Sequence, residues 1–362
     1  MTPRPENDWG ICGHVSAVEQ LQRAIVQDRI SHALLLSGPR GLGKTAIATS
    51  FAKVISCLNP PAPAMACGEC RACRKIDRGV HPDIRTLDLA SQAATSEKSG
   101  GKNTGITIET VREVASTAAL RPIEGRWRIV LLDDAETMNE VAQEALLKTL
   151  EEPPPSMLLI LLCDDLEALL PTIRSRCQVI ELRQAPRADI EAALIDKGAP
   201  EPLATELASL SNGAPGWAFR AIEDAKLRDR RVQAVEQAVT WIGAQTYDRL
   251  VQAVRLADDF SKNRWGPLER LGVLLSVWRD ALLIGAGLRD RMTYQLFADR
   301  LAGMSAEWSL DDLHRAVQSV QTGIRDLETN VRPRLAMEAM VLQWPKPSRA
   351  TSTPTLTKAS NR

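Results

Sequence analysis

A glycine-rich loop between an apolar run and a helix-forming run constrains this chain more than anything else in it. Ala33–Leu36 are apolar, Ser37 follows, and Gly38-Pro39-Arg40-Gly41-Leu42-Gly43-Lys44-Thr45 then leads into Ala46–Ile55. Strand, G-x-x-x-x-G-K-T loop and helix in that order form the context that a phosphate-binding loop needs. Gly38, Gly41 and Gly43 allow the backbone to curl until its N–H groups converge on phosphate oxygens. The N-terminus of the following helix adds partial positive charge. Lys44 is placed to reach the β- and γ-phosphates, and the Thr45 hydroxyl to ligate Mg²⁺. The competing reading is a glycine-rich turn that binds nothing. Binding a nucleotide and hydrolysing it are separate questions, and the loop speaks only to the first.

Further along, the apolar run Ile129–Leu132 ends in Asp133-Asp134. A carboxylate at the carboxyl end of a parallel strand beside a phosphate loop is positioned to hold Mg²⁺ through water, although Asp133 could instead cap a turn. Ile84–Leu89 alternates, Met157–Cys163 is continuously apolar, and Val179–Leu182 forms a fifth candidate strand. Helical patterns separate them. Thr107–Leu120 carries Ile108, Val111, Val114 and Ala118 on one face. Thr137–Glu140 reads as a capping box opening Val141–Glu152, and Leu166–Ile173 as a short helix broken by Pro171. Strands alternating with helices predict an α/β fold, a parallel sheet with helices on both faces.

Directly after the loop's helix the composition changes. Cys57, Cys67, Cys70 and Cys73 give C-x9-C-x2-C-x2-C, four of the chain's seven cysteines. Each C-x2-C sets two thiolates on one side of a tight turn, at the separation that tetrahedral Zn²⁺ needs. A redox C-x-x-C or unrelated thiols are the alternatives. Cys12, Cys163 and Cys177 lie in apolar or loop contexts and read as inert thiols.

At 362 residues the chain has room for two or three domains. Residues 1–184 are expected to form the sheet domain, with the cysteine module near 57–73 inside it. Three short helical patterns, Arg187–Lys197, Pro202–Leu210 and Ala218–Leu227, predict a small helical domain over 185–228. Asn212-Gly213 and Pro215-Gly216 are its expected breaks. Residues 229–345 read as an all-helical bundle, its clearest stripe being Leu271, Leu274, Leu275, Trp278 and Leu282. The Ser/Thr/Pro/Lys-rich stretch 346–362 is expected to be disordered, and polar 91–105 to be a surface loop. Trp9, Trp127, Trp217, Trp265 and Trp278 read as packing anchors, and His14, His32 and His81 as structural. Lys+Arg and Asp+Glu both number 45, which excludes a basic nucleic-acid coat by bulk charge. No apolar run reaches the ~20 residues of a membrane span and no signal-peptide core is present, so a cytoplasmic location is expected.

Taken together, Gly38–Thr45, the four-cysteine insertion, Ala145-Leu-Leu-Lys-Thr-Leu-Glu-Glu-Pro153 and Ser175-Arg176-Cys177, in this order, resemble the AAA+ clamp-loader subunits of the bacterial DNA polymerase III holoenzyme. The resemblance covers about residues 10–345. It implies an AAA+ domain with a zinc insertion, a helical lid and a C-terminal helical collar. It implies a machine that uses ATP to open a ring-shaped sliding clamp and close it around primed DNA, with delta and gamma/tau subunits as partners. Within the family the chain is nearer to the stator than to the motors. By resemblance, Arg176 is an arginine finger given in trans to a neighbour's ATP; read by itself it would be a surface arginine pairing with a nearby acid. Three departures point to weak hydrolysis. Asp134 stands where a catalytic Glu is usual, Cys163-Asp164 replaces a sensor Thr, and the nearest arginine to Gly216 is Arg220, one helical turn on. The loop would then bind ATP-Mg²⁺ through Thr45 and Asp133 and turn it over slowly. Two alternatives stay open: a working motor subunit, and a zinc scaffold that binds no nucleotide. No polymerase site is expected in this chain.

Overall fold

Among the described residues, five short strands form one sheet. They are β1 (Ala33–Ser37), β2 (Ile84–Leu87), β3 (Arg128–Leu132), β4 (Met157–Cys163) and β5 (Gln178–Glu181). The computed structural model describes residues 9–89, 92, 105–262, 265–328 and 331–346. The side chains of Lys262, Trp265 and Glu328, the expected loop between 93 and 104 and the expected tail beyond 346 lie outside the described residues. The strand order is β2-β3-β4-β1-β5 and every pairing is parallel. β1, β3 and β4 are buried at every position, the pattern of central strands covered on both faces.

Alternation along the strands divides the core. Leu35, Val130, Leu132, Leu159 and Leu161 join Val111 and Val114 of one helix and Leu146 and Leu150 of another. In chain order the helices of this region are α1 (Val15–Val26), α2 (Lys44–Ser56), α3 (Arg71–Asp77), α4 (Ile108–Ala118) and α5 (Glu140–Glu151). α2 packs on α1, β1 and β4; it buries Ile47 and Phe51, and α1 buries Val18 and Leu21. The cap of α5 differs from expectation. Asn139, not Thr137, is the N-cap, accepting from the Ala142 N–H at 2.9 Å. Thr137 instead sits in a 3₁₀ turn, where its hydroxyl donates to the Asp134 carbonyl. Pro171 begins a one-turn helix, α6 (Pro171–Arg174), rather than breaking one, because its missing N–H is lost without penalty at the first helical position.

Asp83, 1% exposed, precedes β2 and fixes the approach to β3. Its carboxylate accepts from the N–H groups of Ile123, Glu124 and Gly125 at 2.6, 2.7 and 2.9 Å. Arg128 lies 3.5 Å away. Burial works to raise the Asp83 pKa, but these three N–H bonds outweigh it and hold it below 3.8.

The chain divides into two compact units, Met1–Gly198 with Gly213–Phe219, and Ala199–Asn212 with Arg220–Arg362. Segment 185–228 contributes to both. α7 (Arg187–Asp196) belongs to the first unit and α8 (Glu201–Leu210) to the second. The expected break at Pro215-Gly216 is instead the start of α9 (Pro215–Glu223).

The second unit is helical. α10 (Ala225–Gly243), α11 (Thr246–Lys262), α12 (Trp265–Gly285), α13 (Ala298–Ser305), α14 (Leu310–Glu328) and α15 (Pro333–Leu342) follow one another. α12 is central, packing on α10, α11, α13 and α14. Its buried face is broader than expected, since Val273, Val277 and Ala281 are buried with Leu271, Leu274 and Trp278. Trp278 stands 5.3 Å from Trp344 and 5.4 Å from Trp308, and Trp344 lies 5.2 Å from Trp241, centroid to centroid. Arg249, 2% exposed, donates to the carbonyls of Pro345, at 2.6 Å, and Ile242. Its burial pushes its pKa down to about 10.

Two outcomes are expected. Replacing Trp278 with Ala should cost about 4 kcal/mol, seen as a lower urea midpoint for the helical unit. Asp83→Ala should cost about 3 kcal/mol by stranding buried N–H donors. Because its folded pKa is depressed, the ionised Asp83 stabilises above its unfolded value of 3.8, and that contribution disappears as pH falls through the folded pKa. Urea titrations from pH 5 downward should show this slope in the native protein and its absence in Asp83→Asn.

Candidate functional site

The phosphate loop leaves β1 and enters α2 at the carboxyl edge of the sheet. Gly38 has φ +145°, and a Cβ there would lie 2.5 Å from the Leu182 carbonyl, so only glycine fits. Its N–H donates to the Cys163 carbonyl at 3.1 Å, joining the loop to the end of β4. Gly216 donates its N–H to the Gly41 carbonyl at 2.8 Å. A side chain at Gly216 would strike that carbonyl, so the glycine lets α9 begin against the loop. His14 sits 2.8 Å from the Leu42 carbonyl of the loop, and burial lowers its pKa.

Lys44 is 7% exposed. Its ammonium donates to the Gly38 carbonyl and, at 2.6 Å, to Asp164 Oδ1. Thr45 Oγ1 donates to Asp133 Oδ2 at 3.2 Å, bringing together the two groups expected at Mg²⁺. Arg40 spans two acids, with Nη2 2.7 Å from Asp134 Oδ1 and Nε 2.7 Å from Asp164 Oδ2. Asp134, expected at the position of a general base, has φ +54° and is held by Arg40. Asp164, at the position where a sensor Thr is replaced, pairs with the lysine expected to reach the phosphates.

One residue of this cluster escaped the sequence reading. Glu136 Oε2 accepts from the Asp164 N–H at 3.2 Å, while its Oε1 is buried without a hydrogen-bond partner. Its position three residues after Asp133 was the available signal. Burial and then the Asp164 charge push its pKa up to about 7. Burial also raises the Asp134 carboxyl, with Asp133 adding to it and Arg40 opposing. Around Arg40, burial works against the charged form, but Asp164 and Asp134 outweigh it and raise the pKa. Burial pushes the Cys163 and Cys177 thiols up to about 11 and about 12, so both are protonated and inert near neutrality. An open cleft of ≈ 380 Å³ beside Thr45 is lined by Trp9, Gly10, Ile11, Ala46 and Thr49 among others.

Arg176 stands apart from these groups. It follows α6, and its Nη2 lies 2.9 Å from Glu151 Oε1 at the end of α5. Its Nη1 donates to the Thr172 carbonyl at 3.1 Å. Both partners of the ion pair are substantially exposed, at 36% and 50%. Arg220 lies in the second unit, on the far part of α9.

The four cysteines come together. The sulfurs of Cys57, Cys67, Cys70 and Cys73 all lie within 4.8 Å of one another, and the set could hold a metal ion. Backbone N–H groups of Cys67, Cys70 and Cys73 point at the sulfurs of Cys57, Cys67 and Cys70 at 3.3, 3.3 and 3.5 Å. Such donors favour the thiolate form that metals bind. The module is anchored to the loop's helix by Lys53 on α2, 2.7 Å from Asp77 on α3. Among the described residues no helix is long and apolar enough to cross a membrane.

Known proteins match over both units. The family described as "DNA polymerase III, delta subunit" matches residues 13–186, and "DNA polymerase III, delta subunit, C terminal" matches 235–346. A DNA polymerase III subunit delta' of Pseudomonas aeruginosa is 32% identical over 326 residues, 87% of this chain and 92% of that protein. The Bacillus subtilis subunit delta' is 28% identical over 330 residues, 89% and 93% of the two chains. The B. subtilis subunit tau is 29% identical over 326 residues, 86% of this chain but 54% of its own length.

The raised pKa of Glu136 sets a testable pH dependence. Its carboxyl stays protonated in the folded chain up to about 7 but ionises near 4.5 when unfolded. Folding is therefore favoured less as pH rises through that interval. Glu136→Gln should remove this slope and leave the variant more stable than the native chain at pH 8, by on the order of 2 kcal/mol in urea unfolding.

Proposed function

The chain belongs to the family of DNA polymerase III delta-prime subunits, and on that premise we propose that it is a clamp-loader stator whose main chemical contribution is Arg176, given to a neighbour's nucleotide. In this role it stands in a hetero-oligomer with delta and gamma/tau subunits, in the cytoplasm. It meets the sliding clamp and primed DNA through that assembly. Its own loop, Gly38–Thr45, would cradle ATP, with Thr45 and Asp133 at Mg²⁺. Hydrolysis there would be slow.

One contrast carries the reading. Lys44, Arg40, Asp134 and Asp164 are committed to one another in the chain's own site, whereas Arg176 is held by one exposed ion pair and by exposed hydrogen bonds to the Thr172 carbonyl and the Ser175 hydroxyl. Surface pairs of that kind are worth about 0–1 kcal/mol, so Arg176 can leave Glu151 at little cost when a phosphate is presented. A guanidinium placed on a transferring phosphoryl group neutralises charge that develops in the transition state. Truncating such a finger costs about 10³-fold or more in turnover.

The metal fits the same division of labour. Cys57, Cys67, Cys70 and Cys73 would bind Zn²⁺ as four thiolates, a closed set that leaves no position for substrate. Zinc there would stabilise the insertion and supply no reaction step.

The reconstituted loader tests the proposal. Arg176→Ala should assemble normally and lose at least 10²-fold in DNA-stimulated ATPase and clamp loading. Unchanged ATPase would refute the finger assignment. The intact G-x-x-x-x-G-K-T loop keeps a motor reading in contention, and robust Lys44-dependent turnover by the isolated chain would favour it. For the metal, mass spectrometry of the native chain should find one zinc, and Cys70→Ser should lose it with a lower melting temperature.

A further inference from the structure

We propose, on the nucleotide-cradle reading above, that Asp164 stands where the terminal phosphate of a nucleoside triphosphate would lie, so that this loop selects a nucleoside diphosphate. Lys44 is the group that reaches β- and γ-phosphates in a loop of this type. An ammonium has three donors. Here they face the Gly38 carbonyl, Asp164 Oδ1 and, at 3.4 Å, the Pro39 carbonyl. Among the described residues this carboxylate is the lysine's one anionic contact.

Asp164 is also anchored on its other sides. Its Oδ2 accepts from Arg40 Nε at 2.7 Å, and its N–H donates to Glu136 Oε2 at 3.2 Å. Its predecessor, Cys163, is paired in register with Ser37, and the Cys163 carbonyl accepts from Gly38. The backbone cannot draw Asp164 away from Lys44 without opening the junction of β4 and the loop. Turning the side chain away would break ion pairs with both Lys44 and Arg40.

A triphosphate must either displace this carboxylate or place its own terminal charge against it. Asp134, bound to the same Arg40, adds a second carboxylate beside Asp164. Like charges juxtaposed in a partly desolvated site are strongly unfavourable. A diphosphate lays its phosphates in the nest of loop N–H groups ahead of α2 and brings no third phosphate against Asp164. Asp164 is therefore a specificity-determining residue. It takes the place at Lys44 that a terminal phosphate takes in loops of this type, and it pairs with Arg40 as well.

Calorimetric titration of the full chain with ADP and with a non-hydrolysable ATP analogue, both with excess Mg²⁺, tests this. The native chain should bind ADP at least about tenfold more tightly than the analogue. Asp164→Asn keeps the shape and removes the charge. It should gain about tenfold for the analogue and change less than about twofold for ADP, with a melting temperature confirming the fold. Asp164→Ala should move the ratio in the same direction. Equal or tighter binding of the analogue by the native chain would overturn the proposal, as would an unchanged ratio in both variants. If neither nucleotide binds the native chain or either variant, the cradle reading itself falls, and the selectivity with it.

Discussion

The parallel pairing of β1 with β4 is the constraint on which the rest of the first unit depends. It aligns Ala33 with Leu159 and Ser37 with Cys163, so the two strands end level at the carboxyl edge of the sheet. The loop that leaves β1 and the acid that leaves β4 then emerge side by side. Gly38 bonds to Cys163, and Asp164 meets Lys44. β3 lies on the other side of β4 and delivers Asp133 and Asp134 to the same edge. A one-residue slip in any of these registers would send every side chain of the strand to the opposite face of the sheet and carry the loop and the acids past one another.

The resulting site is charged but internally compensated. Two cations, Lys44 and Arg40, face Asp134 and Asp164, with Glu136 and Asp133 alongside. Preorganised donors aid catalysis when they point at charge that develops in the transition state. Here the cationic donors already point at carboxylates of the same chain. Arg176 is the opposite case, since its carboxylate partner, Glu151, is half exposed. One chain thus has an internally compensated cluster at the loop and an exposed guanidinium outside it.

The helical unit is held by different means. A continuous group of indoles, Trp241, Trp344, Trp278 and Trp308, fills its centre, and the polar edges of Trp241 and Trp344 are satisfied by the Arg249 carbonyl and Ser319. Asp280, fully buried, accepts from the N–H groups of Thr293 and Tyr294 and secures the turns after α12. Trp278 was legible as an anchor from its place in an apolar stripe. Its partners were not, because they lie 30 to 66 residues away in sequence, as the numbering of Trp308 and Trp344 shows.

By itself the sequence determined what depends on short range. The phosphate loop, the C-x2-C pairs, the apolar runs of β1, β3 and β4 and the helical stripes each follow from residues a few positions apart, where backbone stereochemistry and burial act locally. Local signals also misled at Thr137, Pro171 and Pro215, where a capping pattern or a proline had two possible uses and tertiary packing chose between them. Only the tertiary structure decided which groups share the site. Asp164 reads as a sensor position that lost its donor until the strand order places it on a lysine 120 residues earlier. Glu136 reads as an ordinary turn acid until the same packing buries it beside Asp164. Strand order and register are set by the summed burial of the whole sheet, which no local window contains, and the electrostatics of the site follow from that order.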